Sequence, residues 1–300
     1  MKFTFHQLKI FGMVARHKSM TQAARQLHMT QPAVSIQIKQ LQEAVDIPLI
    51  EVVGRKVYLT EAGEKLYKAY QAVDQELQSF DAAISQLKGG LKGTLTISCA
   101  STAKYFLPYM LGGFQNRYPK VDIALKVTNR NEVLGHLSQN EYDLAVLTQL
   151  PEDNSTTAIP FLENPLVIGA PYDHPLSKEK NVTIKHLKGQ PFIFREKGSG
   201  TRMVMEKYLK EKGMSPKPTM ELSTNEAVKQ AIRAGIGLSI ISKLSLTNEV
   251  ALNQISILDV PEFPIKTQWH VIYRNNKKLT PVTENFIAFL QEKNVDQNLP

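Results

Sequence analysis

Apolar residues over the first ninety positions recur at helical spacing. Phe5, Leu8, Phe11, Val14 and Ala15 make one stripe across 5–16, which predicts a first helix. Ser19 or Thr21 can cap a second, short helix over 21–28. Thr30 opens a third that runs to about Val45, with Gln31 and Pro32 in its first turn, where a proline sacrifices no intrahelical hydrogen bond. Within this third helix Val34, Ile38, Leu41 and Val45 fall at i, i+4, i+7 and i+11 and form the buried side. Pro32, Ile36 and Lys39 take the opposite side, with Ser35 beside them and Gln31 near the N-terminal tip. Residues 48–59 then read as two short strands about the turn Gly54–Arg55–Lys56, with two cations at its tip. Three helices and such a hairpin predict a winged helix-turn-helix, whose third helix enters the DNA major groove while the wing meets phosphates. The stripes alone also suit any small three-helix bundle. Ile36 suits both a thymine methyl group and an ordinary exposed apolar position.

Beyond Thr60 the pattern lengthens. Leu66, Tyr70, Val73, Leu77, Phe80, Ile84 and Leu87 step alternately by four and three, an apolar repeat of 3.5 residues. A straight helix drifts off such a seam, so 61–90 is predicted to pair with a second copy in a supercoil. A long amphipathic helix lying on its own C-terminal half is the competing reading. Thr60 can cap the helix, and Gly89–Gly90 can end it.

From Gly93 the periodicity becomes that of alternating strands and helices. Strands are predicted at 94–99, 121–127 and 143–148, with a helix from Ser101–Thr102 to Tyr118 and another over 132–138. A second such unit spans 166–241, and Trp269–Tyr273 with a helix over 281–292 returns to the first. The fold class is therefore α/β overall. Its parts are a DNA-binding domain (1–60), a linker helix for dimerisation (61–90) and a two-lobed domain (91–300). Lobe I is placed at 91–161 and 267–300, lobe II at 162–266, with a cleft between them. Two strand-to-helix junctions rich in hydroxyls face that cleft in this reading: Ser101–Thr102, and Gly198–Ser199–Gly200–Thr201–Arg202. Helix N-termini with hydroxyls hold anions, and Arg202 can add a bidentate contact. Lys104 and Arg195 lie nearby in sequence, and Thr148 ends a strand where α/β folds place ligands. Routine helix capping is the alternative use of each junction.

Composition narrows the partners. The 300 residues carry a formal net charge of +8. Of this, +5 lies in residues 1–60, −2 in 61–90 and +5 across the remaining 210 residues, so the basic density sits on the candidate DNA-binding part. The lone cysteine, Cys99, cannot form an internal disulfide, and Lys2, His6, Lys9 and Arg16 interrupt any leader-like apolar segment, which points to the cytoplasm. No stretch approaches the roughly 18 apolar residues of a membrane span. Gly198–Thr201 matches neither a P-loop nor a nucleophile elbow, and the seven histidines show no metal-ligating spacing, so no catalytic residue, metal or cofactor is expected.

The segment FHQLKIFGMVARHKSMTQAARQLHMTQPAVSIQIKQLQEAVDIPLI, followed by GRKVYLTEAGEKL, closely resembles the winged helix-turn-helix of LysR-type transcriptional regulators. Many members carry Arg or Ala where this chain has Ile36, and Arg where it has Val52. The resemblance implies a homo-oligomer, a dimer or dimer of dimers, on an inverted-repeat operator. DNA contacts would come from Thr30, Gln31, Pro32, Ser35, Ile36, Lys39, Arg55 and Lys56. It further implies an effector domain similar to type 2 periplasmic binding proteins, a small-molecule effector, and RNA polymerase as a further candidate partner. STAKYFLP (101–108), ENPLVIGAP (163–171) and REKGSGTR (195–202) look like the subgroup that regulates Calvin-cycle operons and responds to phosphorylated or carboxylate metabolites. Related members govern sulfur or nitrogen assimilation. An enzyme fused to a DNA-binding module is the remaining alternative.

Overall fold

The computed structural model describes residues 2–54, 56–87, 90–179 and 182–292, with the side chains of 78, 82, 83 and 85–87 outside that description. Two compact units divide the chain, Met1–Asp81 and Ala82–Pro300.

In the first unit every helix starts on a hydroxyl. Thr4 forms a capping box with Gln7 at the head of α1 (Phe5–His17). Ser19 Oγ accepts from the Gln22 N–H at α2 (Met20–Gln26), and Thr30 Oγ1 from the Ala33 N–H at α3 (Gln31–Val45). His28 takes a left-handed conformation (φ 53°), so α2 stops short of it. Ile10, Phe11, Val14, Ala23, Val34, Ile38 and Leu41 form the core, closed by Leu49 and Val57. The wing is the antiparallel pair β1 (Ile50–Val53) and β2 (Lys56–Leu59), with Ile50 opposite Leu59. Gln42 Oε1 accepts from the N–H groups of Leu49 (2.9 Å) and Ile50 (3.2 Å), which ties the start of the wing to α3. The 27-residue α4 (Glu61–Leu87) follows. Its Gly63 lies against the Leu49 carbonyl, where a Cβ would stand 1.9 Å from the oxygen.

In the second unit β3 (Gly93–Ala100) is flanked by β4 (Val121–Thr128) and β5 (Leu144–Leu147), all parallel. The sequence predicts a single helix after β3. Instead a 3-10 turn covers Ser101–Tyr105, and α5 (Leu107–Arg117) begins afresh after Phe106. Pro108 is the cause: it fits a first helical turn but cannot continue one. α6 (Arg130–Ser138) connects β4 to β5. The sixteen-residue β6 (Thr156–Pro171) then runs through both lobes.

Lobe II comprises β7 (Phe192–Arg195), α7 (Gly200–Glu211), β8 (Pro218–Leu222), α8 (Asn225–Arg233), β9 (Ser239–Ser242), α9 (Thr247–Ala251) and β10 (Ile255–Leu258). The return strand β11 (Ile265–Arg274) pairs with β6 along its length, and α10 (Pro281–Leu290) packs on lobe I among Phe106, Phe114 and Trp269. Both crossings between lobes are thus continuous strands. Where they cross, buried Asn164 donates to Thr267 Oγ1 (2.9 Å) and accepts from Ser242 Oγ (2.6 Å).

Candidate functional site

The exposed face of α3 presents Gln31, Pro32, Ser35, Ile36 and Lys39, while Val34, Ile38 and Leu41 face inward. Ile36 is 54% exposed. Lys39 meets Glu43 at 3.8 Å with both side chains in solvent, a pairing weak enough to leave the ammonium available. Thr30 spends its hydroxyl on capping α3. Lys56 is exposed in the wing; Arg55 lies outside the described residues.

The apolar seam of α4 divides. Leu66 packs on the core of the first unit, and Tyr70 is buried with its ring over Gly12, where a Cβ would stand 2.1 Å from Cε1. Tyr70 therefore serves its own unit, a correction to its reading as a seam residue, while Leu66 is half-buried. Val73, Leu77 and Phe80 remain exposed at 40%, 45% and 62%, Ile84 is half-buried, and the Leu87 side chain lies outside the description.

Between the lobes is a recess of about 330 Å³, counted with the open solvent at its mouth. Lobe I contributes Ala100, Ser101, Thr102, Asn129, Arg130, Thr148 and Trp269; lobe II contributes Arg195, Glu196, Ser199, Gly200 and Thr201. Ser199 precedes α7 but makes no side-chain capping bond, and the first N–H groups of α7 have no intrahelical acceptor. The lobes approach closely here. A Cβ on Gly200 would stand 3.0 Å from Thr148 Oγ1, and one on Gly198 (φ 86°) would stand 2.7 Å from Asn131 Nδ2. Across the cleft, Arg195 Nη2 donates to Ser101 Oγ (3.1 Å), and Asn225 Nδ2 to Thr102 Oγ1 (2.9 Å). Trp269 is buried, and its indole N–H has no acceptor among the described residues.

Two sequence-based assignments are corrected. Arg202 does not line the recess: its Nε donates to Glu206 (2.7 Å), and its Nη1 to Glu221 (2.6 Å) and the Arg195 carbonyl (2.8 Å). Lys104 is exposed, its ammonium 5.0 Å from the Tyr105 ring centroid. The cations at the recess are instead Arg195 and Arg130. Arg130 is held by the Gln149 and Leu150 carbonyls, both at 3.2 Å, and burial lowers its pKa against the opposing pull of Glu152. It sits just beyond the end of β4, the kind of strand end that also points to Thr148, so the signal for it is present in the sequence. Two guanidinium groups, five hydroxyls and helix N–H groups without intrahelical acceptors suit a small anion.

Comparison with known proteins matches residues 5–64 to the model described as "Bacterial regulatory helix-turn-helix protein, lysR family" and residues 88–294 to "LysR substrate binding domain". The chain belongs to the LysR family of transcriptional regulators. This LysR regulator is 43% identical over 293 residues to the RuBisCO operon transcriptional regulator of Acidithiobacillus ferrooxidans, covering 98% of this chain and 95% of that one. It is 42% identical over 287 residues to the transcriptional activator CmpR of Synechocystis, covering 96% and 94%. Among solved structures, the CcmR regulatory domain of Synechocystis in complex with 2-PG is 40% identical, with a TM-score of 0.63, covering 66% of this chain and 95% of that domain. The first of these relatives is named as a regulator of the RuBisCO operon and the second as a transcriptional activator. Among the described residues no helix is long and apolar enough to cross a membrane, and no cluster of three metal-ligating side chains occurs.

Burial pushes the Cys99 thiol of this LysR regulator up to about 12, so it stays protonated and unreactive. Ellman's reagent is expected to leave the native protein unmodified and to titrate one thiol per chain after unfolding. Between pH 9 and about 12 the unfolded chain loses this proton while the native state keeps it, so stability falls as pH rises across that window. Alkaline unfolding should shift upward in Cys99→Ala, compared at equal neutral stability.

Proposed function

We propose that the chain binds an inverted-repeat operator as a dimer or dimer of dimers through 1–60, pairs through 61–90, and senses a small anionic metabolite of carbon assimilation in the cleft of 91–300. Gln31, Pro32, Ser35 and Ile36 read base edges, with Thr30 placing them, while Lys39, Arg55 and Lys56 meet phosphates. The effector is held by Ser101, Thr102, Arg130, Thr148, Arg195, Ser199 and Thr201, with Gly198 (φ 86°) outside the lining and forming the turn that presents Ser199, and 2-PG, bound by the related CcmR domain, is the first candidate. The protein acts in the cytoplasm at the nucleoid and communicates with RNA polymerase. The observation that carries this reading is the recess itself, which brings two arginines and hydroxyls from both lobes onto one small volume.

Two arms test it. Gln31→Ala should compress the affinity ratio between operator and random duplex by about 10-fold or more, because a bidentate base contact is worth roughly 1–3 kcal/mol of discrimination. Lys56→Ala should weaken all duplexes alike and flatten the salt slope by about one. Thr148→Val with Thr201→Val should retain operator binding and lose the response to 2-PG. A uniform loss for Gln31→Ala, or an intact response in the double variant, overturns the corresponding half.

A further inference from the structure

The recess carries its own counter-anion. Among the described residues that line it, Glu196 is the one acid, and its carboxylate lies edge-on to Arg195: Nε donates to Oε2 at 2.8 Å and Nη2 to Oε1 at 3.0 Å. That fork is how arginine binds the carboxylate or phosphate of a ligand. The Arg195 side chain is 5% exposed and further fixed by Asn225, Ser101 and the Ser223 carbonyl, so it cannot swing away; the Glu196 side chain is 23% exposed and can. Arg130 differs, since its guanidinium is bonded by two carbonyl oxygens and by no described carboxylate. The recess therefore contains one guanidinium forked to a carboxylate and one hydrogen-bonded to carbonyl oxygens alone, with Glu152 acting on it only through space.

We propose that Glu196 is a built-in competitor for Arg195 and thereby sets the class of effector: a small molecule with two anionic groups, either a diacid or a phosphorylated acid. One anionic group settles on Arg130 and the neighbouring hydroxyls, and the other displaces the Glu196 carboxylate from Arg195 into solvent. A monoanion fills the Arg130 side and leaves the Arg195–Glu196 pair intact. The exchange also reaches the other lobe, because the same Nη2 that holds Glu196 Oε1 donates to Ser101. Replacing one carboxylate by another at that nitrogen alters the donor of a bond across the cleft, so occupancy of Arg195 is felt by both lobes. The proposal rests on the reading of the cleft as the effector site, and its test separates the two.

Full-length wild type, Glu196→Gln, Glu196→Ala and the Thr148→Val/Thr201→Val pair are titrated calorimetrically with 2-PG and with malonate, folding being checked by circular dichroism. Both Glu196 variants are expected to bind each probe about tenfold tighter or more than wild type, because a like charge facing the ligand is removed. The threonine pair is expected to lose both probes. Unchanged or weaker affinity in both Glu196 variants overturns the competitor and leaves the cleft standing. Wild-type affinity in the threonine pair overturns the cleft. Failure of both probes to bind wild type and the Glu196 variants overturns both.

Discussion

Leu77→Glu combined with Phe80→Glu is expected to turn the protein into monomers and to lower operator affinity by about 100-fold or more, the scale on which linking two binding modules raises avidity. Val73, Leu77 and Phe80 share one side of α4 and are 40–62% exposed within a single chain. Burying each Leu or Phe side chain contributes roughly 1.5–3 kcal/mol, and a seam between two helices buries every position twice. Glutamates at two adjacent seam positions remove that gain and bring like charges face to face. Leu66 and Tyr70 would make poor probes of the same idea. Tyr70 covers Gly12, so changing it damages the first unit directly and confounds assembly with folding. Sedimentation equilibrium and operator titration read the two effects separately. Monomers that keep wild-type operator affinity would remove the link between pairing and DNA binding, and a variant that stays dimeric would remove α4 as the pairing element.

How far the sequence could be read depended on whether the deciding interaction was local. Thr30, Gln31 and Pro32 announce α3 because a cap and a first-turn proline lie within three residues of each other, and the structure starts the helix there. The hydroxyl junctions at Ser101–Thr102 and Ser199–Thr201 were likewise visible, and the recess gathers them. Length of β6 was not visible: Pro160 and Pro165 argue against a strand, yet both pair with β11, Pro160 with His270 beside the irregularity at Trp269/His270 and Pro165 with Lys266. The choice among arginines was only half legible. Glu206, four residues after Arg202 on the same helix, was a readable sign that this guanidinium is already paired, whereas Glu221 reaches it from β8, nineteen residues away. Arg195 is aimed at the cleft by Asn225 and Ser101, partners 30 and 94 residues distant, and no spacing rule reports such contacts. Heptad spacing overstated the seam for a similar reason, since the claim of Gly12 on Tyr70 comes from another helix.

Gly63→Ala is expected to destabilise the first unit by about 3 kcal/mol, toward the upper end of the range for overpacking a close-packed site. Helix propensity alone gives the opposite sign, because alanine is favoured over glycine by roughly 1 kcal/mol inside a helix. The close approach decides. An added Cβ would meet the Leu49 oxygen at 1.9 Å and its carbonyl carbon at 3.0 Å, and both belong to backbone with little freedom to yield. Leu49 N–H is bonded to Gln42, the Leu49 carbonyl accepts from Thr60 N–H (3.1 Å), and Thr60 Oγ1 donates to the Pro48 carbonyl (2.7 Å). Relief requires moving α4 or the entry to the wing, and either displaces Lys56 from its place in the hairpin. Scanning calorimetry of the full chain should show the transition of the first unit lowered by about 10 °C or more, at roughly 4–8 °C per kcal/mol for a unit of this size. The transition of the second unit and its affinity for 2-PG should be unchanged, while operator affinity falls with the first unit. A first transition that holds or rises would mean that propensity outweighs the contact, and that the Gly63–Leu49 approach is looser in solution than 1.9 Å implies.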